Sequence, residues 1–158
     1  MSEPTWSYQI EYYLNTGTIG TPTWTFVDYD TSFNPSRDNT TYDASYKARK
    51  NQPSWVVSSR FSIDFDIDIV ENQTLQTWFK TNEDTMNAAT EILRVWKTGS
   101  SPYAAKCAQF ACNCNPLDAD AGGPAHATGT MTMVDDGWTV GTVTFAGTPP
   151  APSFTATV

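Results

Sequence analysis

The sequence has little of the chemistry on which most active sites depend. Its 158 residues include one histidine, His126, which lies in a Pro-Ala-His-Ala-Thr stretch. Nucleophilic catalysis by serine or cysteine needs a base next to the nucleophile, and no nucleophile motif surrounds this histidine. We therefore predict no catalytic residue, no cofactor and no enzymatic activity.

Cysteine is also scarce. Cys107, Cys112 and Cys114 are an odd set, and two of them are only two positions apart, which is a poor basis for a disulfide framework. With His126 they could be considered as zinc ligands, but Cys-x-Cys lacks the ligand spacing of common structural zinc sites. Alternation along a strand also points Cys107 away from the other two. We interpret all three as small, buried, reduced residues and predict no metal site.

Two further shortages exclude other classes of function. Nine Lys and Arg stand against 17 Asp and Glu, for a net charge of -8. Proteins bind nucleic acids by neutralising phosphates with Lys and Arg, so we expect no tight nucleic-acid binding.

No stretch approaches the ~20 apolar residues of a membrane span, and the first residues show neither a basic patch nor an apolar run. We therefore expect no membrane insertion and synthesis in a cytoplasm.

What the sequence does contain is material for a core. Hydrophobic residues make up 39% of the chain and aromatic residues 13%. A chain of this length suits one domain, which we place at residues 1–147, followed by a Pro-rich C-terminal tail at 148–158. Period-two alternation of apolar and polar residues predicts strands at 5–14, 23–27, 91–97 and 103–113, and a hairpin of 125–134 and 138–145 around a turn at 135–137.

The strongest alternation covers residues 55–69, where every odd position except Ser59 is apolar. It predicts a strand of ~50 Å with one buried face. A short helix follows within 71–82, with Asn72 as the candidate N-cap. The polar segment 28–53 before the strand is interpreted as a long surface loop. The predicted fold is mainly β, with two packed antiparallel sheets in a sandwich or barrel, one short flanking α-helix and a long loop.

Three carboxylates on the long strand form the most suggestive polar set. Alternation directs Asp64, Asp66 and Asp68 to one side within ~13 Å. A calcium ion or a glycosidase pair could use them, but a rigid strand supplies neither the wrapped oxygen shell that calcium prefers nor a site that would keep one carboxyl protonated. A solvated acidic face is the favoured interpretation.

The many aromatic residues leave a second class of function open. Exposed Trp and Tyr could stack on sugars in a carbohydrate-binding sandwich. Most of the aromatic residues share the apolar phase of the strands with Ile and Val, which favours a core or an interface, whereas Tyr13 and Tyr29 do not.

Taken in order, several segments resemble the major tail tube proteins of long-tailed bacteriophages and their relatives in gene transfer agents and contractile injection systems. The segments are the loop end at 40–47, the strand at 54–69, the helix at 73–79, Phe110, and the closing segments 129–132, 137–138 and 141–145. The resemblance is one of layout and residue character over most of the chain.

The resemblance implies a virion subunit that forms stacked, hexameric rings around a lumen for DNA delivery. Its implied partners are copies of itself, a tape measure protein inside the tube, tail terminator and baseplate proteins, and DNA in transit without specific binding. It implies a location in the virion tail. The residues expected to face the lumen are Arg60, Asp64, Asp66 and Asp68. Those expected in an inter-subunit arm are Arg37, Tyr42, Tyr46, Lys47, Arg49 and Lys50.

Two alternatives stay open at this point. One is a glycan- or receptor-binding β-sandwich module. The other is a different structural role in a phage particle, such as a tail terminator or a head-completion protein.

Overall fold

Most of the alternating segments form strands, as predicted. The computed structural model describes residues 4, 9–28, 30–70, 73–119, 121–148 and 150–157. Within them the chain forms the following strands and helix: β1 (Ile10–Asn15), β2 (Trp24–Phe26), β3 (Asp30–Asp43), β4 (Ser54–Asp68), α1 (Thr74–Asn82), β5 (Ala88–Trp96), β6 (Tyr103–Cys114), β7 (Asp118–Ala119), β8 (Ala125–Met133), β9 (Thr139–Ala146) and β10 (Ala151–Ala156). The mainly β fold with one short helix is confirmed.

All strand pairs in the described residues are antiparallel, and β6 is the branch point. The main path runs in the order β2-β1-β5-β6-β8-β4-β3. One edge of β6 pairs with β5, while its other edge pairs first with β9 and then, from Phe110 onward, with β8. Strand β9 also pairs with β10. The sheet therefore branches at β6. One branch contains β8, β4 and β3, and the other contains β9 and β10.

Each branch of the sheet covers a hydrophobic cluster. The larger cluster includes Ile63, Phe65 and Phe110 and is closed by helix α1 through Phe79. The smaller one lies on the opposite face of β5 and β6 and includes Val143 of β9. Cys112 and Cys114 belong to the larger cluster and Cys107 to the smaller one, all as free thiols. The prediction that alternation separates Cys107 from the other two is confirmed.

Helix α1 forms because its apolar residues recur at helical spacing. Leu75 and Phe79 are four positions apart and almost completely buried, and the Phe79 ring lies 5.0 Å from that of Phe65. Gln73 occupies the N-cap position without a side-chain capping bond, while the predicted cap Asn72 lies outside the described residues, as do residues 5–8 of the first predicted strand. Within the described residues, no helix is long and apolar enough to cross a membrane.

The prediction of a surface loop over 28–53 is wrong for residues 30–43. These residues form β3, which pairs with β4 from Asp30 opposite Ile67 to Asp43 opposite Ser54. Its sequence lacks apolar alternation because most of its side chains are exposed, and Phe33 is the buried exception among those described. Backbone hydrogen bonds to β4 hold such a strand without a buried face.

The predicted burial of the odd positions of β4 is wrong for its first half. Residues 54–60 are all exposed, and burial on alternate positions begins only near Phe61. The ladder also shifts between Thr40 and Thr41, so that Val57 is an extra residue on β4. Such a bulge changes the face on which the side chains beyond it lie. The odd position number of Trp55 therefore does not predict that it shares a face with Phe61 and Ile63.

The predicted hairpin of 125–134 and 138–145 is also wrong. Among the described pairings β8 and β9 do not pair with each other; both run antiparallel to β6, one after the other along the same edge. Residues 134–138 connect the two strands along that edge. Within this connection, Asp135 Oδ2 accepts a hydrogen bond from the backbone N–H of Gln109 at 2.8 Å. An Asp-Asp-Gly segment suits a tight reversal, but it also lets a strand change partners. The C-terminal segment contains β10, which pairs with β9 over its whole length.

Candidate functional site

The β3–β4 hairpin extends past the hydrophobic core as an arm, defined here as residues 37–60. Six residue pairs of its ladder, from Asp38–Arg60 to Asp43–Ser54, lie beyond the core and measure ~20 Å at ~3.3 Å per residue. Every arm residue is exposed except Ala44 and Pro53. Neither face of this two-stranded ribbon is covered within the described chain.

The arm carries much of the exposed apolar surface. Its large exposed hydrophobic residues are Tyr42, Tyr46, Trp55, Val56 and Val57, which are 47 to 61% exposed. The rings of Tyr42 and Trp55 stack across the ladder, with centroids 6.3 Å apart and an interplanar angle of 17°. Contiguous exposed apolar residues commonly mark a surface that another molecule covers.

Hydrogen bonds order the tip of the arm, the connection 44–53. The Gln52 side chain accepts from the backbone N–H of Tyr46 at 2.6 Å and donates to the carbonyls of Tyr46 and Arg49 at 3.2 and 2.8 Å. The Arg49 guanidinium lies 5.6 Å from the centroid of the Tyr46 ring. The tip therefore presents Lys47, Arg49 and Lys50 from a folded loop.

The tip cations are not neutralised by any residue that the structure describes. None of them forms an ion pair within the described residues, where the ion pairs involve Lys97 and His126. The other predicted arm cation, Arg37, lies at the base of the arm and donates to Ser59 Oγ at 3.3 Å. All six predicted arm residues thus lie on one hairpin.

The predicted acidic row on β4 faces away from the core, next to β8. Asp64, Asp66 and Asp68 alternate with the buried residues of β4, and Thr130 of β8 donates to Asp64 Oδ1 at 2.8 Å. The fourth predicted member, Arg60, precedes them on the same strand but belongs to the exposed arm.

His126 joins this row, a role that the sequence did not indicate. Its Nδ1 lies 3.1 Å from Asp66 Oδ1 and 3.0 Å from Asp68 Oδ1. Ligand atoms of the three residues lie within 4.8 Å of one another, a mixed oxygen and nitrogen set that could hold a divalent cation such as Zn²⁺ or Mn²⁺. The imidazole Nδ1 forms a hydrogen bond with Asp66 Oδ1, whereas Asp68 Oδ1 is buried without a hydrogen-bond partner in the described part of the chain. That the chain holds no metal stays a prediction.

The three thiols are poorly suited to chemistry. Burial, with a smaller contribution from the nearby Glu91 carboxylate, raises the pKa of Cys107 to about 12. Burial likewise raises the pKa of Cys112 to about 12 and that of Cys114 to about 11. Because the thiolate is the nucleophile and the metal ligand, these groups are unreactive at neutral pH.

The fold has a known counterpart. No protein-family model and no curated protein matches the chain. The structure is similar to a chain in the cryo-EM structure of the anti-feeding prophage (AFP) baseplate, 6-fold symmetrised, with a TM-score of 0.59 and 11% sequence identity. The match covers 89% of this chain and 97% of that chain. At this identity, the likeness establishes a shared fold.

Proposed function

We propose that the protein is a structural subunit of a phage tail or a phage-tail-like particle, where copies of it assemble into stacked rings that form a hollow tube for DNA delivery. The observation that carries the proposal is the arm, a hairpin with exposed apolar side chains on a fold shared with a baseplate component. An arm of this kind gains a function when a second copy covers it. Such a subunit needs no catalytic residue.

The free edge of β3 supports assembly by strand pairing. Strand β3 ends the described path of the sheet, and no described strand pairs with its outer edge. It is 14 residues long, and long unpaired edges are templates for pairing with another chain. In a closed ring each such edge meets a neighbour, so that the β3–β4 ribbons join into a continuous barrel.

The proposed ring has six subunits, a number supported by the six-fold symmetrised assembly in which the similar chain occurs. In this arrangement the acidic row faces the lumen, where repeated carboxylates repel DNA phosphates, and DNA passes without binding. Copies of the chain are the main partners. A tape measure protein inside the tube, and tail terminator and baseplate proteins at its ends, complete the particle in which the subunit resides.

A second candidate function is a glycan-binding module. It is favoured by the exposed stacked rings of Tyr42 and Trp55, because sugars pack on aromatic faces. Negative-stain electron microscopy of the concentrated protein separates the two functions: rings or tubes support assembly, and dispersed monomers that bind sugars support the glycan module.

Charge reversal tests which surface assembles. Lys47→Glu with Arg49→Glu should block ring formation and leave the thermal melt of the monomer nearly unchanged, because both side chains are exposed and surface substitutions change stability little. Lys80→Glu on α1, which makes the same change of charge per substitution, is the control and should still assemble. Rings formed by the double variant would contradict a role of the tip in assembly.

A further inference from the structure

A cavity of about 400 Å³ lies between the base of the arm and residues 134–138, which connect β8 and β9. Its lining gathers positive charge from four separate segments of an acidic chain. Four of the nine Lys and Arg of the whole sequence line it. They are Arg37, Arg60, Arg94 and Lys106.

The cations of this cavity have no carboxylate partner among the described residues. No ion pair within 4.0 Å involves any of them in the described part of the chain. Arg94 is instead held by aromatic rings: its guanidinium carbon lies 4.6 Å from the ring centroid of Trp96 and 5.1 Å from that of Trp138. The same Trp96 ring lies 5.7 Å from Lys106 Nζ. Packing therefore fixes the guanidinium without neutralising it.

Two donors in this aromatic contact lack an acceptor in the part of the chain that the structure describes. Arg94 Nε and Trp138 Nε1 are buried and have no hydrogen-bond partner among the described residues. A buried donor without a partner costs roughly 1 to 3 kcal/mol. Both atoms are inaccessible to solvent, so a ligand in the cavity does not reach them unless these side chains move.

Acidic groups on the cavity do not cancel its charge. Asp135 and Asp136 also line it, but one oxygen of Asp135 already accepts from the Gln109 backbone. Counting both as carboxylates against the four cations leaves an excess of two positive charges.

From these contacts we infer that the cavity is an anion site that binds a carboxylate group. A planar guanidinium offers parallel N–H donors that match the two oxygens of a carboxylate. The carboxylate has two possible sources: a small free dicarboxylate, or an Asp or Glu side chain of a second copy, a source that rests on the proposed function. The chain supplies 17 such side chains.

Binding of succinate to the unassembled full-length protein tests the site. Calorimetry with the wild type should show saturable binding, and Arg94→Gln should weaken it at least tenfold. Lys106→Gln, which leaves the Arg94–Trp138 contact in place, should weaken it in the same direction and covers the case in which Arg94→Gln unfolds the chain. Lys80→Gln removes a cation outside the cavity and should bind as the wild type does.

Assembly distinguishes the two sources. If Lys106→Gln lowers succinate affinity and also raises the protein concentration needed for assembly, the carboxylate comes from a second copy. If it lowers succinate affinity only, the ligand is a free carboxylate, and the proposed function stands unaffected. Absence of succinate binding by the wild type, or equal binding by the wild type and both cavity variants, overturns the anion site. Failure of the wild type to assemble counts against the proposed function alone, because succinate binding is measured on the monomer.

Discussion

Removing Trp55 from the arm should weaken assembly and leave the monomer folded. The residue is 48% exposed. An aromatic side chain buries up to ~250 Å², so a partner that covers the exposed part removes about 120 Å² from water. At ~25 cal/mol per Å² this area corresponds to about 3 kcal/mol. Because 1.4 kcal/mol is a factor of ten, Trp55→Ala should weaken each contact about 100-fold.

The cost to the monomer should be much smaller. Within its own chain Trp55 stacks on Tyr42, with centroids 6.3 Å apart, and a cross-strand aromatic pair contributes about 1 kcal/mol or less. The free energy of unfolding, measured by urea denaturation at low protein concentration, should therefore fall by no more than that amount.

Sedimentation velocity over a concentration series measures the effect on assembly. Ile19→Ala is the matched control, because Ile19 is also 48% exposed but lies in the turn between β1 and β2. The control should assemble at wild-type concentrations. If Trp55→Ala assembles at wild-type concentrations too, or if both variants lose assembly equally, the arm is not the contact surface that its exposure indicates.

Three other perturbations test separate parts of the structure. Asp64→Lys, at the exposed position of the acidic row, leaves the contacts of Asp66 and Asp68 with His126 in place and should preserve tube assembly but slow DNA ejection, most at low ionic strength; an unchanged ejection rate would contradict the lumen assignment. Gly129→Ala should lower the free energy of unfolding by about 1 to 3 kcal/mol, because the new Cβ would overlap the Asn113 carbonyl oxygen, whereas nothing lies within 4 Å of a Cβ at Gly137. Equal urea midpoints for the two alanine variants would contradict this account. Burial raises the pKa of Cys112 to about 12, so iodoacetamide at pH 8 should label it only after unfolding, and labelling of the native protein at the rate of a free thiol would contradict that burial.

Alternation located the strands that have a buried face. The second half of β4 was predictable because one side of it lies against the core, which places apolar residues at every second position. Strands β5 and β6 contact a hydrophobic cluster on each face, and their high content of apolar and small residues indicates buried strands. Strand β3 was not predictable in the same way, since water surrounds most of it and its backbone ladder leaves no mark on the sequence. The partner change between β8 and β9 was missed because a Gly-containing turn signals a break in a strand and not the direction that the chain takes afterwards.

At the candidate sites, the grouping of residues within one strand was predictable, and contacts between distant segments were not. The acidic row was predictable because its members lie on one strand. The contact of His126 with Asp66 and Asp68 was not, because it depends on the register of β8 against β4. The cationic cavity joins residues from β3, β4, β5 and β6, whose proximity no spacing along the chain reveals.

The ordered tip of the arm has a consequence for the entropy of association. Fixing the backbone of one residue costs roughly 1 to 2 kcal/mol in conformational entropy, and a flexible loop would lose that freedom when it docked. Here Gln52 holds the backbone at Tyr46 and Arg49 in the isolated chain. The ordering of this loop therefore accompanies folding, and a docking partner receives a rigid, prearranged surface whose favourable contacts are not offset by immobilising the loop.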